Sequence, residues 1–124
     1  MLPIVLVALG GGLGSVTRYL AGGWVASRLG VAFPYGTLLI NITASFIIGF
    51  FLAFAQDRAA LSPNWRLFVA VGFVGGYSTF STFEYESVRL MQDGQMLLAA
   101  IYMAGSVAAG LVATITGITL GSLI

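Results

Sequence analysis

Charged positions are sparse along this chain, and the stretches between them are apolar. Residues 35–55 and 96–124 carry no charge, and each is at least as long as the roughly 20 residues that cross a bilayer core. Residues 1–25 are equally apolar apart from Arg18, and a further stretch at 65–85 has Arg66 at one end and Glu84 at the other. This pattern predicts an all-α integral membrane protein with four transmembrane helices, at about 2–26, 35–55, 65–90 and 97–122. Short connections at 27–34, 56–64 and 91–95 join them in a single domain spanning 1–124. The apolar start has no basic region like that of a cleaved signal peptide, so it is read as a retained first span.

The third stretch differs from the rest. Residues 72–83 read GFVGGYSTFSTF, with two adjacent glycines, Gly75 and Gly76, followed by Tyr77, Ser78 and Thr79. Freed backbone groups at membrane depth cost several kcal/mol unless protein, water or an ion satisfies them. The third helix is therefore expected to break at mid-membrane, beside an ion site.

Composition narrows the chemistry. The chain is 59% hydrophobic and 7% charged, with a mean hydropathy of +1.02, whereas soluble domains carry about 25% charged residues. Net charge is +1, which argues against a nucleic-acid partner. There is no Cys, His or Lys, so thiolate chemistry, zinc fingers and the commonest general base are absent. Arg58 and Arg66 fall on one side of a four-span topology, and Arg28 and Arg89 on the other. That balance gives the positive-inside rule nothing to act on, so either folding and the insertion machinery set the orientation or copies insert both ways and pair as an antiparallel homodimer. Gly10-x-x-x-Gly14, Gly105-x-x-x-Ala109 and Gly117-x-x-x-Gly121 are small-residue pairs that let helices approach closely in lipid.

Polar residues inside the spans are candidates for function. Arg18 must face a partner or water, whether an interface, helix carbonyls or an anion. Thr37, Asn41 and Ser45 recur every four residues and share one helix face, as do Tyr102 and Ser106, continued by Gly110 and Thr114. Phe80 and Phe83 follow the break at i, i+3, interleaved with Ser81 and Thr82. Phenyl rings carry a positive edge, so two edges turned to a cavity would bind a small anion loosely. Glu86 is counted with this pore set. Glu84 and Glu86, at i, i+2, do not share a helix face, which argues against an acid–base enzyme.

Three stretches together resemble the Fluc (CrcB) fluoride channels: GGLGSVTRY at 11–19, GTLLINITASFIIG at 36–49, and GFVGGYSTFSTF at 72–83. Tyr102-x-x-x-Ser106 is a weaker fourth. The resemblance implies a dual-topology antiparallel homodimer in the cell's inner membrane, with two pores that export fluoride passively. It also implies a structural sodium ion at the dimer centre, held by the backbone carbonyls of Gly75 and Ser78. By position it makes Phe80 and Phe83 the pore phenylalanines, Asn41 the pore asparagine, and Thr37, Tyr102 and Ser106 the polar track. Ala44 and Gly110 depart from the family pattern, standing where a glycine and, in some members, a hydroxyl are usual. The alternative is a small dual-topology multidrug-resistance-type transporter, which depends on a glutamate in its first helix; here that helix has Arg18 and no carboxylate.

Overall fold

A computed structural model describes residues 1–56 and 58–124, and every regular element among them is helical. Helix α1 spans Leu2–Leu29, with proline in its first turn, and stops at Gly30, whose φ of 82° suits glycine. Helix α2, Tyr35–Gln56, starts directly after Pro34. An α-helical turn at Pro63–Trp65, a π-helical run at Arg66–Val74 and a further α-helical turn at Gly75–Tyr77 follow without interruption and are together called α3. Helix α4 is Phe80–Gln92, and α5 is Met96–Leu123. Three helices, α1, α2 and α5, are each long and apolar enough to cross a membrane. The remaining predicted span, 65–90, is divided between α3 and α4, with Ser78 and Thr79 in extended backbone between them.

Glycine lets these helices touch. On α1, a Cβ at Gly10 would lie 2.3 Å from the Phe68 carbonyl oxygen, and one at Gly14 would lie 2.1 Å from that of Phe73. The contact repeats every four residues on α1 and every five on α3, which matches the wider i→i+5 turn of a π-helix. A plain α-helix was the sequence expectation here, and the π-helical turn keeps this second helix in step with α1. On the other side, Gly49 of α2 and Gly117 and Gly121 of α5 pack backbone to backbone, each with a Cβ position within 2.5 Å of a carbonyl oxygen of the facing helix. Gly105 meets nothing in the protomer. Close approach of this kind stabilises helix pairs in lipid through van der Waals contact and not through hydrophobic burial.

Two small clusters form the interior. Ile40, Ala44, Val74 and Tyr77 join α2 to α3, and Leu90, Ala99 and Tyr102 join α4 to α5. Ala44 is fully packed in the first of these, so the extra methyl relative to glycine is accommodated. Large apolar side chains cover the outer faces, among them Leu9, Leu13, Leu20, Leu111 and Ile115. Such a surface is suited to a membrane.

Candidate functional site at the helix break

The break begins two residues beyond the glycine pair. Gly75 has helical dihedrals (φ −60°, ψ −36°), whereas Ser78 (φ −82°, ψ 158°) and Thr79 (φ −151°, ψ 116°) are extended. Two side chains from other helices hold it open. The Thr79 N–H donates to Asn41 Oδ1 at 2.9 Å, and Asn41 Nδ2 donates to the Thr79 carbonyl at 3.1 Å. Arg18 Nε donates to the Gly76 carbonyl at 3.2 Å. With Thr79 N–H drawn to Asn41, the Gly75 carbonyl loses the donor that a continuous helix would supply. Beyond the break, Thr79 Oγ1 accepts from the Thr82 N–H at 3.2 Å and so caps α4.

The two glycines have different tasks. A Cβ on Gly76 would stand 2.4 Å from the Gly11 carbonyl oxygen, so contact with α1 requires glycine there. A Cβ on Gly75 would meet open space. The sequence reading gave the interruption to residues 75–79 as a whole; the structure keeps Gly75–Tyr77 helical and places the break at Ser78 and Thr79, where Asn41 captures the backbone.

A cavity of about 240 Å³ opens beside the break. Asn41, Ser45, Ser78, Phe80, Phe83 and Ser106 line it, together with Thr79 and Val107. The two phenyl rings are 5.9 Å apart and tilted by 43°. Phe80 is 69% exposed on the protomer surface, whereas Phe83 packs against the Tyr102 ring at 5.1 Å. Ser45 donates to the carbonyl of Asn41, but the Ser106 hydroxyl is buried without a hydrogen-bond partner among the described residues. A buried hydroxyl left unpaired at a cavity wall is available to a guest.

A larger cleft of about 910 Å³ lies on the other side of Thr79. Arg18, Thr37, Thr82, Glu86, Arg89 and Asp93 contribute its polar lining. The buried Tyr102 hydroxyl donates to Glu86 Oε1 at 2.9 Å, tying α5 to α4 at this boundary. Asn41, Ser78, Phe80, Phe83 and Ser106 thus meet in one cavity, Thr37, Thr82 and Glu86 line the neighbouring one, and Tyr102 stands between α4 and α5. Ser81 lines neither; it points to the surface, with its hydroxyl 3.4 Å from Thr79 Oγ1. Sequence reasoning named Thr79 at the break but did not count it with the site residues. Its place as the hydroxyl residue before an amphipathic helix was the available signal.

No group of three or more His, Cys, Asp and Glu side chains able to hold a metal occurs among the described residues. The residues lining the cavity beside the break are neutral, offering amide and hydroxyl donors beside two phenyl rings.

Residues 5–118 match the family described as CrcB-like protein, Camphor Resistance (CrcB). The chain is 49% identical over 116 residues to a fluoride-specific ion channel FluC of Acidobacterium capsulatum, covering 94% of this chain and 93% of that one. It is 44% identical over 117 residues to a protein of the same name from Rhizobium meliloti, covering 94% of each. A third, from Trichormus variabilis, is 45% identical over 120 residues, covering 96% of this chain and 88% of that one. An apolar helical chain matched over residues 5–118 in this way belongs to the CrcB-like family.

Proposed function

We propose that this protein is a passive, fluoride-selective channel of the cell's inner membrane that lets fluoride leave the cell. The observation that carries this reading is the cavity beside the break, where Asn41, Phe80, Phe83 and Ser106 converge without a fixed charge among its lining residues. Relatives at 42–49% identity bear the name fluoride-specific ion channel, which supports fluoride as the ion and a channel instead of an enzyme. Fluoride is strongly hydrated, so donors must replace its water at short range. Neutral amides, hydroxyls and ring edges do so weakly enough to permit exit. Thr37, Thr82, Glu86 and Tyr102 continue a polar route past the break, with Ser81 at its margin.

The full arrangement in this proposal has four spans per chain, the third divided at Ser78–Thr79, and two chains inserted antiparallel. Phe80, exposed on the protomer, would then face its partner, as would the open side of Gly75. A structural sodium would sit at the dimer centre on the carbonyls of Gly75 and Ser78. Arg18 already uses the neighbouring Gly76 carbonyl, so its role is structural. The transporter alternative lacks its first-helix carboxylate and is not favoured.

The test is efflux from liposomes holding purified protein, with a potassium ionophore to balance charge. Fluoride should empty rapidly and chloride should stay. Equal chloride efflux would remove the selectivity, and absence of fluoride efflux would remove the function. In the same preparation, a single cysteine in place of Ala60 should be labelled from both faces of the membrane; labelling from one face would exclude dual topology.

A further inference from the structure

Every polar group of Thr79 is engaged. Its N–H and C=O both meet the carboxamide of Asn41, at 2.9 and 3.1 Å, and its hydroxyl caps Thr82. A side-chain amide that exchanges two hydrogen bonds with one residue's backbone imitates a rung of a β-ladder. That pairing favours extended backbone at Thr79, because a helical Thr79 would direct its N–H to Gly75. Ser45, one turn along α2, donates its hydroxyl to the backbone carbonyl of Asn41 and leaves the carboxamide to Thr79. Of the Asn41 amide's two hydrogens, one is committed to Thr79, which leaves one for the cavity.

We propose that Asn41 is a positioning residue. It templates the extended conformation of Thr79, and through it the start of α4 and the direction in which Phe80 and Phe83 face the cavity. The inference rests on the channel reading above, since it assigns what Asn41 does for the ion's path. It also predicts that near-isosteres fail here. Aspartate would accept from the Thr79 N–H but would set a negative oxygen against the Thr79 carbonyl, and alanine would leave both groups unpaired.

The decisive change leaves Asn41 in place. An ester in place of the Thr79 amide, introduced in the full chain with the α-hydroxy analogue of threonine, deletes the N–H that Asn41 accepts. Fluoride efflux should fall about tenfold, Asn41→Ala should lower it to a similar extent, and the two together should lower it little further. The half-saturating fluoride concentration should move in the same direction in both single variants. An ester variant with native efflux, or losses that multiply in the double variant, would overturn the template and leave Asn41 as an ion donor only. A loss in the ester variant that added sodium restores would belong to the weakened Ser78 carbonyl and would likewise overturn it. Amide hydrogen exchange across 78–83 gives a reading independent of transport: Asn41→Ala should speed it. Unchanged protection sinks the template, and it does so even if the native protein carries no fluoride.

Discussion

Arg18 Nε donates to the carbonyl of Gly76 at 3.2 Å, joining residues 58 apart in the chain. An arginine in the first apolar span thus satisfies a carbonyl at the end of α3. Charge-assisted bonds of this type contribute more than neutral ones, and leaving the carbonyl bare costs about 1–3 kcal/mol. Arg18→Leu should therefore lower the thermal stability of the purified protein by that order. Arg18→Gln, which keeps a donor of reduced reach, should fall between the two. A leucine variant as stable as the native chain would show the contact to be incidental.

Gly75 and Gly76 should respond differently to the same added methyl. Gly76→Ala drives a Cβ into the Gly11 carbonyl and should impair folding, read as poor yield and aggregation on size-exclusion chromatography. Gly75→Val has room within the protomer. It should give a folded chain that fails to pair or conduct, because in the proposed dimer the second copy faces that side. Full activity of Gly75→Val would mean that nothing packs there.

The two phenylalanines separate packing from ion contact. Phe83 lies against Tyr102 and the Leu90–Ala99 cluster, so Phe83→Ala should cost about 3–5 kcal/mol. Phe80 is mostly exposed in the protomer and should cost far less. Isoleucine at either position keeps most of the volume but removes the ring quadrupole. Fluoride efflux should then fall about tenfold, the equivalent of roughly 1.4 kcal/mol. Native efflux from an intact Phe80→Ile, Phe83→Ile protein would reduce both rings to packing.

Ser106 offers a cleaner test, since its hydroxyl has no partner to lose. Ser106→Ala should leave stability unchanged or slightly improved and should slow fluoride efflux. Ser45→Ala, by contrast, removes the hydroxyl that donates to Asn41 O and should alter stability as well. If Ser106→Ala conducts normally, the orphaned hydroxyl contacts no ion.

The proposed sodium would use the carbonyl of Gly75, which the Thr79 N–H no longer serves. Replacing sodium by a large organic cation on both sides of the membrane should abolish efflux, and restoring it should recover activity. Ser78→Ala should retain that dependence, since the proposed ligand there is a backbone atom. Efflux that persists without sodium would dismiss the ion.

Periodicity and composition alone determined the helical class, the extents of the apolar segments and the shared faces of Thr37–Asn41–Ser45 and Tyr102–Ser106. Those properties depend on residues within one or two turns, where spacing fixes direction. The neighbourhood of the break was also legible, because two glycines and three hydroxyl residues interrupt an otherwise continuous apolar run. Its position at Ser78–Thr79 was not, since it is set by Asn41, 38 residues away. Nor was the π-helical turn of 66–74, which answers to the glycines of α1. Arg18 could be read as needing a partner, but several were open to it; only the packing of α1 on α3 selected Gly76. Local sequence biases a backbone by small energies, whereas a buried hydrogen bond from a distant helix outweighs them, so the fold chose the break and which side chains hold it.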